Sequence, residues 1–337
     1  MNETYARKTI SFYRYFILES PTEFRDQLYK DWSGLNCFGR IYIAREGINA
    51  QMSVPESNME AFHESLLRYQ IFDRIPIKYA IVDNGKSYYK LTIKVKAKLV
   101  ADGLSDDTFD VTNVGNHLEA EEFHSLVESG KHIVVDMRNH YESEIGHFKG
   151  ALCPEVDTFR EEMVLVKDML TDQKDKKILL YCTGGIRCEK ASAYLKHHGF
   201  KDVNQLHGGI LEYARKIKQL KLESNFIGKN FVFDERLGES VNGQIISHCH
   251  QCGNPCDDHV NCANELCHLL LIQCHECAEK YEKCCSSACC TIKNTPVLEK
   301  QLYRLQANRK FGNRHIYRKS FLLAKNNTFT GCNPEKE

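Results

Sequence analysis

Eleven of the sixteen cysteines in this 337-residue chain fall between Cys249 and Cys290. The segment reads His248-Cys249-His250-Gln251-Cys252-Gly253-Asn254-Pro255-Cys256, then His259, Cys262, Cys267-His268, Cys274-His275-Glu276-Cys277, Cys284-Cys285 and Cys289-Cys290. It has few other apolar residues with which to build a core, which favours a structural metal. Disulfide scaffolds are usually short secreted chains. The N-terminus, MNETYARKTI, has no apolar h-region, so we expect a cytoplasmic protein and a metal site or thiol chemistry. Two C-x2-C pairs, Cys249/Cys252 and Cys274/Cys277, are separated by 21 residues. Each can form half of a tetrahedral thiolate site, and a structural Zn²⁺ held by these four residues is the expected arrangement. Cys256, His259, Cys262 and Cys267 make one candidate second group. An Fe–S cluster, a disulfide-stapled module and a fully reduced packed module are the alternatives.

The rest of the chain has ordinary globular composition, with 42% hydrophobic and 27% charged residues. Its 45 basic and 45 acidic residues cancel, so attraction to nucleic acid must come from local patches. The longest purely aliphatic run, Leu269 to Ile272, is far short of a membrane span, and no membrane partner is expected. Residues 1–104 read as strand, helix, strand, strand, helix, strand, a ferredoxin-like α+β sandwich with an added strand. Ser20-Pro21-Thr22-Glu23 is the expected capping box of the first helix, whose apolar stripe is Phe24, Leu28 and Trp32. Strands are expected at Ile10 to Ile17, Gly39 to Ala44, Ala50 to Val54, Ile75 to Val82 and Tyr89 to Val100.

The last of these alternates strictly, with Lys90, Lys94, Lys96 and Lys98 on one face and Leu91, Ile93, Val95, Ala97 and Leu99 on the other. That lysine face is either solvated, blunting a sheet edge, or a phosphate-binding surface. A second basic stretch, Lys300 to Lys325, has no acidic residue. It places Arg309, Lys310 and Arg314 among Tyr303, Phe311, His315, Tyr317 and Phe321, a pattern suited to RNA.

Residues 105–225 alternate buried strands (Ile133 to Asp136, Ile178 to Tyr181, Val203 to Leu206) with helices near 118–128, 157–170, 188–198 and 209–220. This predicts an α/β domain with a mainly parallel sheet. Residues 226–337 complete the chain as the Cys/His-rich module and basic tail. At the end of the second buried strand comes Cys182-Thr183-Gly184-Gly185-Ile186-Arg187-Cys188, leading into a helix. A cysteine there faces backbone N–H groups, the positive end of a helix and the charge of Arg187, all of which favour thiolate. Cys182 is therefore the expected nucleophile, with Arg187 beside it. Cys188 is either a resolving thiol or a small residue packed at the helix start. Asp136 and Arg138 are expected to support the site, Arg138 by holding a carboxylate or anion. His147 and His207 read as structural.

Asp136-Met137-Arg138, Gly146-His147-Phe148-Lys149-Gly150-Ala151, the Cys182 loop and Leu206-His207-Gly208-Gly209-Ile210 together resemble the rhodanese domain. Rhodanese domains carry sulfur as a persulfide on the first loop cysteine, here Cys182. Cysteine phosphatases place an arginine six positions after the nucleophile, whereas position 188 is Cys188, which disfavours phosphoryl chemistry. Over residues 8 to 291 the layout resembles the bacterial tRNA uridine hydroxylase family. The resemblance rests on Glu46-Gly47-Ile48-Asn49, on Cys182 through Ala191, and on Cys249-His250-Gln251-Cys252-Gly253. Met137 and Ala50-Gln51 depart from the family's more usual Val and Gly-Thr.

The resemblance implies oxygen-dependent hydroxylation of the wobble uridine of tRNA to 5-hydroxyuridine. It implies a tRNA partner, molecular oxygen as a substrate and an electron donor that no motif identifies. No flavin, nicotinamide or 2-His-1-carboxylate iron pattern is present. The alternative is a sulfurtransferase carrying a persulfide on Cys182. Oligomeric state is not legible.

Overall fold

The computed structural model describes residues 6–104 and 109–295. They belong to two compact units, one running to Gln244 and one starting at Ile245.

The first unit opens with β1 (Arg7–Tyr15), α1 (Pro21–Gly34), β2 (Phe38–Ala44), β3 (Gly47–Pro55), α2 (Met59–Leu67), β4 (Lys78–Tyr79) and β5 (Leu91–Val95). The sheet order is β4-β1-β3-β2-β5. The first four strands have the ferredoxin-like arrangement, and β5 is added parallel to β2. Ile10 and Phe12 of β1 and Ile41 and Ile43 of β2 point to the helices, where Phe24, Leu28, Trp32 and Phe62 close the core. Ser20 is the N-cap of α1 and Pro21 starts the helix, but the Ser20 side chain makes no capping bond. The expected capping box is therefore not formed.

Two strands are shorter than their sequence patterns. The last stops at Val95. Beyond it the Leu99 amide donates to Glu46 (2.6 Å) and Lys98 pairs with Asp102 (2.9 Å), which bends the chain off the sheet. The fourth is only Lys78–Tyr79.

The α/β part comprises β6 (Asn116–Leu118), α3 (Ala120–Glu128), β7 (Ile133–Asp136), α4 (His140–Ser143), β8 (Gly146–Phe148), α5 (Phe159–Met169), β9 (Lys177–Tyr181), α6 (Ile186–His197), β10 (Asp202–Leu206) and α7 (Gly209–Leu220). Strands β6-β10-β9-β7 form a parallel sheet. Alternation along β9 explains the two cores. Ile178 and Leu180 pack with Met163, Val166, Ala191 and Leu195 of α5 and α6. Leu179 and Tyr181 pack with Phe123, Ile210 and Tyr213 of α3 and α7.

The first unit continues past residue 225. β11 (Phe226–Asn230) pairs antiparallel with β8, and β12 (Glu239–Ser240) pairs with β11. Arg236 donates to the Val82 carbonyl and the Ile81 amide donates to Glu239 (3.1 Å), so residues 226–244 are hydrogen-bonded to the N-terminal domain. In the second unit, β13 (His259–Asn261) and β14 (Leu270–Ile272) form a hairpin, followed by α8 (His275–Lys280) and α9 (Ser287–Asn294).

Candidate active site

Strand β9 delivers Cys182 to the mouth of a four-residue loop, and α6 begins at Ile186. Cys182 is buried, and its Sγ accepts a hydrogen bond from the Gly185 amide (3.1 Å). Gly185 reaches this position with φ +100°, which disfavours any side chain. The loop is fixed from behind by the first turn of α7. The Ile210 and Leu211 amides donate to the Cys182 and Thr183 carbonyls at 3.0 and 3.2 Å. A Cβ on Gly209 would stand 2.5 Å from the Cys182 carbonyl oxygen, so the His207-Gly208-Gly209-Ile210 motif is a support for the loop.

Burial alone would raise the Cys182 pKa. The Cys188 thiol, the charge of Arg187 and the amides of Cys188 and Arg187 outweigh it and lower the pKa to about 5. Cys188 is buried and pushed far up, first by burial and then by its bond to Cys182, so it stays a thiol and donates.

Arg187 does not face an open anion site. Its guanidinium is held bidentately by Glu142 of α4 at 2.6 and 2.8 Å, with Thr183 Oγ1 at 3.4 Å. Arg138 is likewise committed. It forks onto Asp136 (2.8 and 2.6 Å) and donates to the Gly146 carbonyl (2.6 Å), while the Tyr181 hydroxyl donates to Asp136 (2.7 Å). The carboxylate expected opposite Arg138 is thus Asp136 itself, and the pair locks the end of β7 to β9. Sequence reasoning did not single out Glu142. Asn139-x-x-Glu142 is legible as a capping box, of which the structure forms the half in which the Asn139 amide donates to Glu142 (3.1 Å), but the role of Glu142 as the Arg187 partner is a tertiary fact. Glu162 was also missed. It is wholly buried, with no hydrogen bond to either carboxylate oxygen among the described residues, and burial keeps it neutral.

The N-terminal domain lies over the loop. The Tyr13 hydroxyl is 2.8 Å from where a Cβ on Gly185 would be, and it donates to Glu189 of α6 (2.9 Å). Glu189 also meets His117 (3.0 Å). Lys78 Nζ sits 4.2 Å from the Tyr13 ring centroid. Burial lowers the Lys78 pKa to about 8, with Cys182, Glu189 and Glu212 pulling the other way. Tyr13, Tyr15, Lys78, His117, Glu189 and His207 line a pocket of about 500 Å³ that Cys182 itself does not line, a size suited to a small ligand or a single base. Glu46, from the Glu-Gly-Ile-Asn turn, pairs with Lys190 of α6 (2.8 Å), which also meets Asp102. That turn therefore anchors the N-terminal domain one helical turn past the nucleophile loop.

Lys90, Lys94 and Lys96 are exposed, and Lys96 lies over the Tyr42 ring. Lys98 does not share their face, being paired with Asp102. Arg309, Lys310 and Arg314 lie outside the described residues. In the second unit, Cys249, Cys252, Cys274 and Cys277 converge as their spacing predicts, each sulfur within 4.8 Å of the others. The other expected group is not formed. Cys262 and Cys267 converge instead with Cys285 and Cys289. Cys256 and His259 belong to neither group.

Three family models match the chain: the UPF0176 acylphosphatase like domain over residues 7–99, the Rhodanese-like domain over 119–216 and the Rhodanase C-terminal model over 227–290. The tRNA uridine(34) hydroxylase of Leptospira interrogans is 55% identical over 317 residues, covering 93% of this chain and 86% of that protein. The tRNA uridine(34) hydroxylase of Escherichia fergusonii is 50% identical over 319 residues, covering 94% and 90%. The crystal structure of a rhodanese-like domain protein from Staphylococcus aureus matches 29% of this chain and 90% of its own, at 25% identity and a TM-score of 0.25. With an N-terminal acylphosphatase-like sandwich, a rhodanese loop and half or more of the aligned residues identical to these hydroxylases along nearly its whole length, the chain belongs to the tRNA uridine(34) hydroxylase family.

Proposed function

We propose that this protein hydroxylates uridine 34 of tRNA at C5, with Cys182 as the nucleophile. The observation that carries the reading is the buried Cys182, whose Sγ accepts from the Gly185 amide and whose pKa is lowered to about 5, with Tyr13 between its loop and a pocket of about 500 Å³ that Tyr13, Lys78 and Glu189 line. Such a thiolate adds to C6 of uracil, and the electron pair of the C5=C6 bond moves onto C5 and the ring carbonyl as an enolate. Lys78 offers positive charge to that oxygen and Tyr13 a hydroxyl. The C5 carbanion then combines with molecular oxygen, giving a C5 hydroperoxide after protonation. Two electrons and two protons from an external donor reduce it to the C5 hydroxyl and water. Loss of the C5 proton and of the Cys182 thiolate restores the double bond. The sum is uridine, O2, two electrons and two protons in, and 5-hydroxyuridine and water out.

The loop is covered by Tyr13, so a base reaches Sγ when that ring swings away. Glu142 keeps Arg187 where its charge acts on Sγ, which makes Glu142 a positioning residue. Lys90, Lys94 and Lys96 supply positive charge for the tRNA backbone. A tRNA substrate supports action in the cytoplasm.

The test is nucleoside mass spectrometry after incubating the protein with unmodified tRNA under air, with a reductant. A one-oxygen gain on uridine that requires oxygen and is lost in Cys182→Ser, with tRNA binding retained, is the expected result. Full activity in Cys182→Ser would sink the covalent step. Absence of the gain, with sulfur moved from thiosulfate in a parallel assay, would return the protein to sulfur transfer.

A further inference from the structure

We propose that residues 249–289 hold two zinc ions in an interleaved, cross-braced module, the second bound by Cys262, Cys267, Cys285 and Cys289. The inference is independent of the hydroxylase reaction and goes beyond the single site that the C-x2-C pairs suggest. Four Cys pairs follow one another along the chain. The first and third converge at one point and the second and fourth at another, so neither site is contained in one stretch of chain.

Three observations support two ions. Sulfur atoms at opposite corners of an edge stand 3.6 Å apart for Cys252–Cys274, 3.7 Å for Cys267–Cys285 and 3.5 Å for Cys285–Cys289. A tetrahedron with Zn–S bonds of about 2.3 Å has edges of about 3.8 Å. A disulfide needs about 2.05 Å, and the thiolates around an iron–sulfur cube must stand farther apart to enclose its inorganic core.

The two sites also repeat one another. The Cys274 amide donates to Cys249 Sγ (3.4 Å), and the Cys285 amide donates to Cys262 Sγ (3.3 Å). In each case the first cysteine of the later pair donates to the first cysteine of the earlier one. Such bonds favour thiolate and orient a metal ligand. In each case, too, the later pair brackets the start of a short helix, α8 for Cys274/Cys277 and α9 for Cys285/Cys289.

Finally, the buried apolar side chains of this unit, among the described residues, are Leu269 to Ile272 and cysteines. Metal–thiolate bonds then supply the cohesion that a larger apolar core would give.

Native mass spectrometry of the full-length protein, supplied with Zn²⁺ under reducing, oxygen-free conditions, should show two zinc ions per chain. Cys290→Ser, outside both tetrads, should keep two, and Cys285→Ser should hold at most one. Alkylation of the wild-type protein gives a readout that does not depend on a variant folding. Cys252 is exposed, so burial cannot protect it. It and Cys267 should resist labelling until a chelator is added, while Cys290 labels throughout. One zinc or none in the wild type, iron in place of zinc, two ions in Cys285→Ser, or Cys267 labelling as fast as Cys290 would overturn the proposal.

Discussion

At pH 7 a cysteine with the ordinary pKa of 9.0 is thiolate in about one molecule in a hundred, whereas Cys182, at about 5, is thiolate in about ninety-nine. The difference corresponds to about 5 kcal/mol of preference for the charged form. It is large because Cys182 is buried, where each donor acts through a low dielectric. Thiolate ultraviolet absorbance, titrated in wild type minus Cys182→Ser, reads this group while the other cysteines subtract. The midpoint should fall near pH 5, with no further change from 7 to 9. Cys188→Ala removes one donor to the charged sulfur. It should raise the midpoint by about one unit, or about 1.4 kcal/mol.

The linkage has a definite sign. The folded-state pKa lies below the unfolded one, so the thiolate's stabilisation is full above about pH 9 and is lost as pH falls through about 5. Between those values wild type should lose up to about 1.4 kcal/mol per pH unit relative to Cys182→Ser. A wild-type midpoint at pH 8 or above would show that burial wins over the loop amides and Arg187. An unmoved midpoint in Cys188→Ala would remove the thiol–thiol hydrogen bond from the argument.

Lys190→Met leaves Glu46 without its cation and Asp102 with Lys98 alone, and should cost about 1–3 kcal/mol in denaturant unfolding. A loss under about 1 kcal/mol would show that the pair is not holding the N-terminal domain. Lys78 is charged below its pKa of about 8, so kcat/KM should fall as pH rises through that value. In Lys78→Met that limb should vanish, with activity reduced about tenfold or more at neutral pH. An unaltered profile would remove Lys78 from the reaction. Replacing Lys90, Lys94 or Lys96 by Ala should each lower the log–log salt slope of tRNA binding by about 0.7–0.9 per lost phosphate contact. Unchanged slopes would move the RNA contact off β5.

Local pattern was enough for much of the chain. Alternation in β9, the apolar stripe of α1 and the glycines after Cys182 are local signals, and they specify a strand, a helix and an N–H-lined loop wherever they occur. The order of elements was legible for the same reason, as were the two half-sites Cys249/Cys252 and Cys274/Cys277, since a C-x2-C turn brings its own sulfurs together, whereas the meeting of the two halves is made by the tertiary structure. Long-range pairing was not legible. Lys98 alternates perfectly with its neighbours, yet it turns to Asp102 because Glu46, distant in sequence, captures the Leu99 amide. Arg187 reads as the charge that favours the Cys182 thiolate, but nothing local shows that a carboxylate 45 positions earlier holds its guanidinium. Tyr13 and Lys78 carry no motif and reach the nucleophile loop only when β1 and β4 are laid over it. The spacing of Cys262, Cys267, Cys285 and Cys289 is irregular, and their meeting depends on the hairpin that interleaves them. Residue type and local period determined which groups could do chemistry. Which charges cancel, and which side chains cover the thiolate, was decided by contacts between segments far apart in sequence.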